Sequence, residues 1–213
     1  MNRTKSLFTV ASLAILYLGC SEDKNLNWSE YSEWMSENKE LLIKQKQVNS
    51  IDISCFYQPA QYLAYNDLLK SGKIIDSVSL TEASAHYACG LTFRITVRSG
   101  DRNINLLYAG VNSETDYKKR INELNFHADE FIALTLNGQE HIPSLVSYEG
   151  YNELSNQLLF TAVFTPKAYG CGSNGNTIES VKLTFDDPYW GIGTTHFTYD
   201  NKILTGIPSL VLE

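Results

Sequence analysis

Three local patterns predict a mainly β protein. Leu91, Phe93, Ile95 and Val97 alternate with Thr92, Arg94, Thr96 and Arg98, the period of a strand with one wet face. Ile132, Leu134 and Leu136 run into Asn137-Gly138, the strongest hairpin signal in the chain. Leu158 to Phe164 is apolar on both parities, as a strand buried between layers should be. With turn signals between several such runs, the expected architecture is mainly β with N-terminal helices. It is an antiparallel β-sandwich of the immunoglobulin-like class carrying two or three short helices.

The chain opens with Arg3 and Lys5, then an uncharged apolar run from Leu7 to Leu18, then Gly19-Cys20. Twelve residues are too few to span a bilayer, which takes about 20, but they suit a secretory leader. A Cys directly after a small residue at the end of such a run resembles the bacterial lipobox, although Tyr17 stands where Leu is usual. That resemblance implies removal of residues 1–19 and attachment to the membrane through acyl chains on Cys20. Ser21-Glu22-Asp23 resembles the export signal of surface-exposed, uncharacterised lipoproteins of Bacteroidota, and Asp76-Ser77-Val78 resembles an O-glycosylation site of that phylum. The resemblance places the protein on the outer membrane, lipid-anchored and displayed outward, with a periplasm-facing position as the alternative.

Residues 20–27 read as a lipidated tether. Residues 28–72 read as a helical and strand part packed on the sandwich, and 73–213 as the sandwich itself. From Trp28, apolar residues at Tyr31, Trp34, Met35, Leu41 and Leu42 predict a helix to about Lys46. Ile51, Ile53, Cys55 and Tyr57 alternate as a strand, and Pro59 opens a helix that Gly72 stops. From residue 74 strands should dominate, with one at 103–108 and a short helix capped at Ser113. The return strand of the Asn137-Gly138 hairpin should cover 140–148. Val181, Leu183 and Phe185 predict another strand, and Phe197 and Tyr199 continue the alternation.

Cleavage removes Arg3 and Lys5 and no acid, so 17 basic residues fall to 15 against 24 acidic ones, a formal −9. Such a surface repels nucleic acid and anionic headgroups, so acyl chains must supply the membrane attachment. The 13 Tyr, 9 Phe and 3 Trp suit strand-rich structure. Beyond Cys20, three cysteines remain outside the cytoplasm, Cys55, Cys89 and Cys171, so at least one has no intramolecular partner. Cys89 and Cys171, beside glycines at strand ends, are the preferred bridge; Cys55–Cys89 and no bridge remain open.

Motifs for chemistry are sparse. The glycine-rich 168–176 lacks the phosphate-binding order, and His86, His127, His141 and His196 are scattered without HExxH or a nucleophile motif. No cofactor, metal or catalytic residue is expected. Asp186 and Asp187 beside Tyr189 and Trp190 form a candidate contact loop for a protein or glycan, with packing of Trp190 at one end of the sandwich as the other reading. The expected role is non-catalytic binding or structural support in the cell envelope. The alternatives are an envelope hydrolase with unrecognised acidic residues and an accessory lipoprotein of a secretion or gliding complex.

Overall fold

The computed structural model describes residues 25–167 and 178–212. Cys20, the leader and most of the expected tether lie outside these residues, as do Cys171 and its glycine-rich loop. The chain begins with β1 (Asn25–Leu26), α1 (Trp28–Glu37), α2 (Lys39–Leu42), β2 (Ile43–Val48) and β3 (Ile51–Gln58). Asn27 caps α1 by accepting the Glu30 N–H at 3.1 Å, while the Glu30 carboxylate accepts the Asn27 N–H at 3.0 Å.

The helix expected to reach Lys46 stops at Leu42, because Ile43–Val48 pairs antiparallel with β3 across Asn49-Ser50. Asn49 takes φ +55, the left-handed conformation a two-residue hairpin asks of its first residue. Here ladder pairing outweighs a helical stripe. Residues 28–72 consequently supply two strands of a sheet rather than only an attachment to it.

Next come α3 (Ala60–Ser71), α4 (Ser77–Tyr87), β4 (Leu91–Ser99) and α5 (Glu114–Phe126). Gly72, at φ +65, ends α3 as expected. The second helix of this hairpin was not foreseen. Its sequence, SVSLTEASAHY, buries only Leu80 and shows no clear apolar stripe. It is held instead by Asp76, whose carboxylate accepts the Ser79 N–H at 2.8 Å, and by packing against Ala64 and Leu68 of α3.

The strand expected at 103–108 is a series of turns. Asp101 accepts the Asn103 N–H and Asn105 accepts the Leu107 N–H, both at 2.9 Å, so side chains compete with a ladder for the backbone. Ser113 caps α5 by accepting the Asp116 N–H at 3.1 Å.

A 3-10 turn (Ala128–Phe131) leads to β5 (Ile132–Leu136), β6 (Gln139–His141), β7 (Leu145–Asn152) and β8 (Gln157–Phe164). Then follow β9 (Ser180–Asp186), β10 (Thr194–Asp200), α6 (Asn201–Thr205) and β11 (Ser209–Leu210). The return strand expected over 140–148 is two strands. Strand β6 closes the hairpin on β5, and after Pro143 the chain crosses to pair β7 with β8 in another sheet.

Five strands lie in the order β2-β3-β4-β8-β7 and four in the order β10-β9-β5-β6, all antiparallel. The immunoglobulin arrangement crosses to its second sheet after two strands, whereas β2, β3 and β4 run consecutively in one sheet here. Six α-helices are present among the described residues, not two or three, and α5 and α6 lie well beyond the N-terminal part.

Ile53, Cys55, Phe93, Ile95 and Phe160 of the larger sheet share one core with Leu134, Leu183, Phe185, Phe197 and Tyr199 of the smaller one. A second core gathers Tyr31, Ala64, Leu68, Leu80 and Leu210 where α1, α3 and α4 meet the paired β1 and β11. Gln61 holds Leu210 from both sides, accepting its N–H at 2.8 Å and donating to its carbonyl at 3.2 Å. The first and last strands are therefore tied to the same helical face. None of the described helices is long and apolar enough to cross a membrane.

Candidate functional site

The loop between β9 and β10 turns inward. The Asp187 carboxylate accepts the N–H groups of Tyr189 and Trp190 at 2.8 Å and of Ile192 at 2.6 Å, which organises the turn. Gly191 and Gly193 complete it at φ +70 and +67. Trp190 Nε1 donates to the Leu106 carbonyl at 2.9 Å, and the Tyr189 hydroxyl bonds to Glu123.

Beneath them Arg120, 6% exposed, places Nη1 within 2.8–3.2 Å of the carbonyls of Leu106, Leu107 and Ala109, with its guanidinium 4.3 Å from the Tyr189 ring centre. Asp187, Tyr189 and Trp190, all half-buried, thus form a joint between α5, the 101–111 turns and β9–β10. Asp186 is exposed and accepts the Thr194 hydroxyl at 2.8 Å. Among the described residues no group of three or more His, Cys, Asp or Glu side chains could hold a metal.

Cys89 is disulfide-bonded, whereas Cys55 is free and fully buried, which excludes the Cys55–Cys89 pairing. The partner of Cys89 lies outside the described residues; Cys171 as that partner is a proposal. Burial pushes the Cys55 thiol up to about 12, opposed by its interaction with Tyr199. Burial also raises Tyr199 and Tyr31, and pushes Tyr148 up to about 12.

The folded chain holds these protons to higher pH than the unfolded chain, so the stabilisation they represent is complete below about pH 8.5 and declines above it. Each such group steepens the decline by about 1.4 kcal/mol per pH unit between its unfolded and folded values. Urea midpoints should hold steady from pH 7 to 8.5 and fall progressively toward pH 11. A midpoint unchanged at pH 11 would contradict this.

An open surface lies instead on the outer face of the five-stranded sheet. Register brings Gln47, Asp52, Arg98, Gln157 and Asn152 into one row across its strands. The next row holds Gln45, Ser54, Thr96 and Leu159. Gln45, Gln47, Asp52, Ser54, Thr96, Arg98 and Gln157 line a groove of about 570 Å³. Among the described residues its one ion pair is Arg98–Asp52 at 2.7 Å, and Lys46, which also lines it, adds a further positive charge. The side chains of Gln45, Gln47, Ser54, Thr96 and Gln157 make no hydrogen bond with other described residues.

Further along the strands, Arg94 and Thr161 both bond to Glu149, at 2.7 and 2.6 Å, and Phe56 packs edge-on against Tyr62. Beyond that row the α3–α4 hairpin covers the sheet and leaves a second cavity of about 350 Å³.

The wet face of β4 was legible from its alternation. Gln45 and Gln47 were missed because their segment carries a helical stripe, and Gln157 because its neighbour across the sheet is set by a distant pairing.

The fold and site define a mainly β protein with two antiparallel sheets, six helices among the described residues and a polar groove on one outer sheet face. No protein-family model and no curated protein matches the chain. Two crystal structures show some likeness. One is a protein of unknown function from Burkholderia pseudomallei, 10% identical, with a TM-score of 0.36 over 86% of this chain and 94% of that one. The other is a DUF4426 family protein from Pseudomonas aeruginosa, 8% identical, with a TM-score of 0.33 over 75% of this chain and 92% of that one. Likenesses of this size carry no argument about this protein.

Proposed function

We propose that this is a lipid-anchored outer-membrane protein, attached through Cys20 and displayed outward, whose domain is a non-catalytic binding module for a hydroxyl-rich ligand, a glycan of the envelope or its surroundings. We take the two facing sheets as the leaves of a β-sandwich. One observation carries the binding role: amides and hydroxyls from β2, β3, β4 and β8 converge on one groove without bonding one another. Such a surface offers donors and acceptors at strand spacing, about 4.8 Å across and 7 Å along, to a ligand rich in both. The carboxylate lining it is Asp52, paired to Arg98, which leaves the groove without a second carboxylate for acid–base hydrolysis.

The anchor and the groove are tested separately. Cys20→Ala should move the protein from the membrane to the soluble fraction; unchanged fractionation would remove the anchor from the proposal. On the soluble Cys20→Ala chain, Gln45→Ala with Gln157→Ala should weaken calorimetric binding of envelope polysaccharide roughly ten- to hundredfold, the loss of two hydrogen bonds. Their stability should stay within about 0.5 kcal/mol of the parent. Undiminished binding would remove the groove.

A further inference from the structure

We propose that the cavity between the α3–α4 hairpin and the outer face of β4 and β8 binds a small, neutral, mostly apolar molecule carrying one hydroxyl or carbonyl group. This site is separate from the polar groove and does not depend on its ligand. Its volume, about 350 Å³, lies at the small end of the range for ligand pockets. Leu63 and Tyr87 bound it from the hairpin, and Val163 from the sheet.

Gly90 keeps one wall open. A Cβ there would stand 3.2 Å from the Phe164 carbonyl oxygen, tighter than most side chains tolerate, and in ordinary contact with Val163 Cγ1 at 3.6 Å. The hydroxyls around this apolar body differ in one respect. Thr161 bonds to Glu149, Thr165 to Ser144, and Tyr87 to Asp67. Thr92, only 6% exposed, makes no side-chain hydrogen bond with the described residues, yet it lines the cavity. Among the lining hydroxyls Thr92 Oγ1 is therefore the one left to bond an occupant, and a ligand oxygen would partner it where an apolar wall cannot.

The occupant is therefore small, because hairpin and sheet bound it on two sides. It is uncharged, because among the described residues no Lys, Arg, Asp or Glu lines the cavity, and His86, the one ionisable imidazole on its edge, is exposed to solvent. It also has one polar group to meet Thr92.

Phenol and toluene serve as matched probes, alike in ring but not in hydroxyl. They are titrated into the methyl-labelled Cys20→Ala chain, and the methyl resonances of Leu63, Thr92 and Val163 are followed by NMR. Both probes should shift these methyls saturably, phenol binding roughly five- to tenfold more tightly, the contribution of one hydrogen bond. Thr92→Val should bring phenol down to the affinity of toluene. Val163→Phe, which fills the cavity, should abolish both. The proposal is overturned by absence of saturable shifts at these three methyls, or by a Thr92→Val chain that binds phenol as tightly as the parent. The isosteric Thr92→Val change keeps the test decisive even if Val163→Phe disturbs folding.

Discussion

Replacing Phe93 by Ala should destabilise the protein by about 3–5 kcal/mol, the cost of emptying a large buried aromatic site that cannot collapse fully. Phe93 is fully buried, with ring centres 5.5 Å from Tyr57, 6.1 Å from Phe164 and 5.6 Å from Tyr199. Tyr57 and Phe164 belong to its own sheet, but Tyr199 comes from β10 of the facing one. The Tyr199 hydroxyl also donates to the Cys55 carbonyl at 2.7 Å, so the same aromatic cluster carries a polar tie between sheets.

The loss would therefore fall on the packing of sheet against sheet, not on one strand. Thr96→Ala, three residues along and on the outer face, is the control and should change stability by less than about 0.5 kcal/mol. Urea denaturation of both variants checks the expectation. A loss below about 1 kcal/mol at Phe93 would mean that the sheets do not meet through this ring.

Arg120→Ala should cost about 3–4 kcal/mol, because it removes a cation and takes from the Leu107 and Ala109 carbonyls their side-chain donor. The guanidinium is reached only by carbonyl oxygens and the Tyr189 ring; no carboxylate lies within ion-pair distance among the described residues. Lys at this position keeps the charge and three donors but loses the planar stacking on Tyr189, and should recover about half of the loss. Trp190 Nε1 donates to Leu106 O, the same oxygen that Arg120 approaches, so the two residues share a load. Trp190→Phe and Arg120→Ala should accordingly couple in a double-mutant cycle by about 0.5–2 kcal/mol. Strict additivity would show that the joint is two independent contacts.

Strands β3, β4, β5 and β9 were legible because a half-buried strand writes its period into adjacent residues, and β8 because its run is apolar on both parities, although every second residue proves only half-buried. The hairpin at Asn137-Gly138 was legible for a related reason: its turn needs positive φ at both residues, and both adopt it, at +48 and +82. Where local signals were weak or contradictory, tertiary contacts prevailed. Ile43–Val48 follows a helical stripe but becomes a strand because β3 offers it a ladder. The α4 segment has little amphipathicity and becomes a helix because Asp76 caps it and α3 covers it.

The contact loop shows the same limit. Asp186, Asp187, Tyr189 and Trp190 have the composition of a recognition loop, yet Tyr189 and Trp190 find partners in Leu106, Arg120 and Glu123, more than sixty residues earlier in the chain. No pattern within the loop could reveal that.

The sequence by itself determined which segments alternate, where α3 stops and α5 is capped, and the expectation of an anchor at Cys20, which stands on sequence alone. The tertiary structure decided which strand lies beside which. It placed β8 against β4, sent β6 and β7 to different sheets, and so brought Asp52, Arg98 and Gln157 into one row. The physical reason is that a backbone ladder is indifferent to side chains, so strand character is local but partnership is not. Partners are chosen by burying one face of every strand in a common core, and that choice sets which polar residues meet on the face left open.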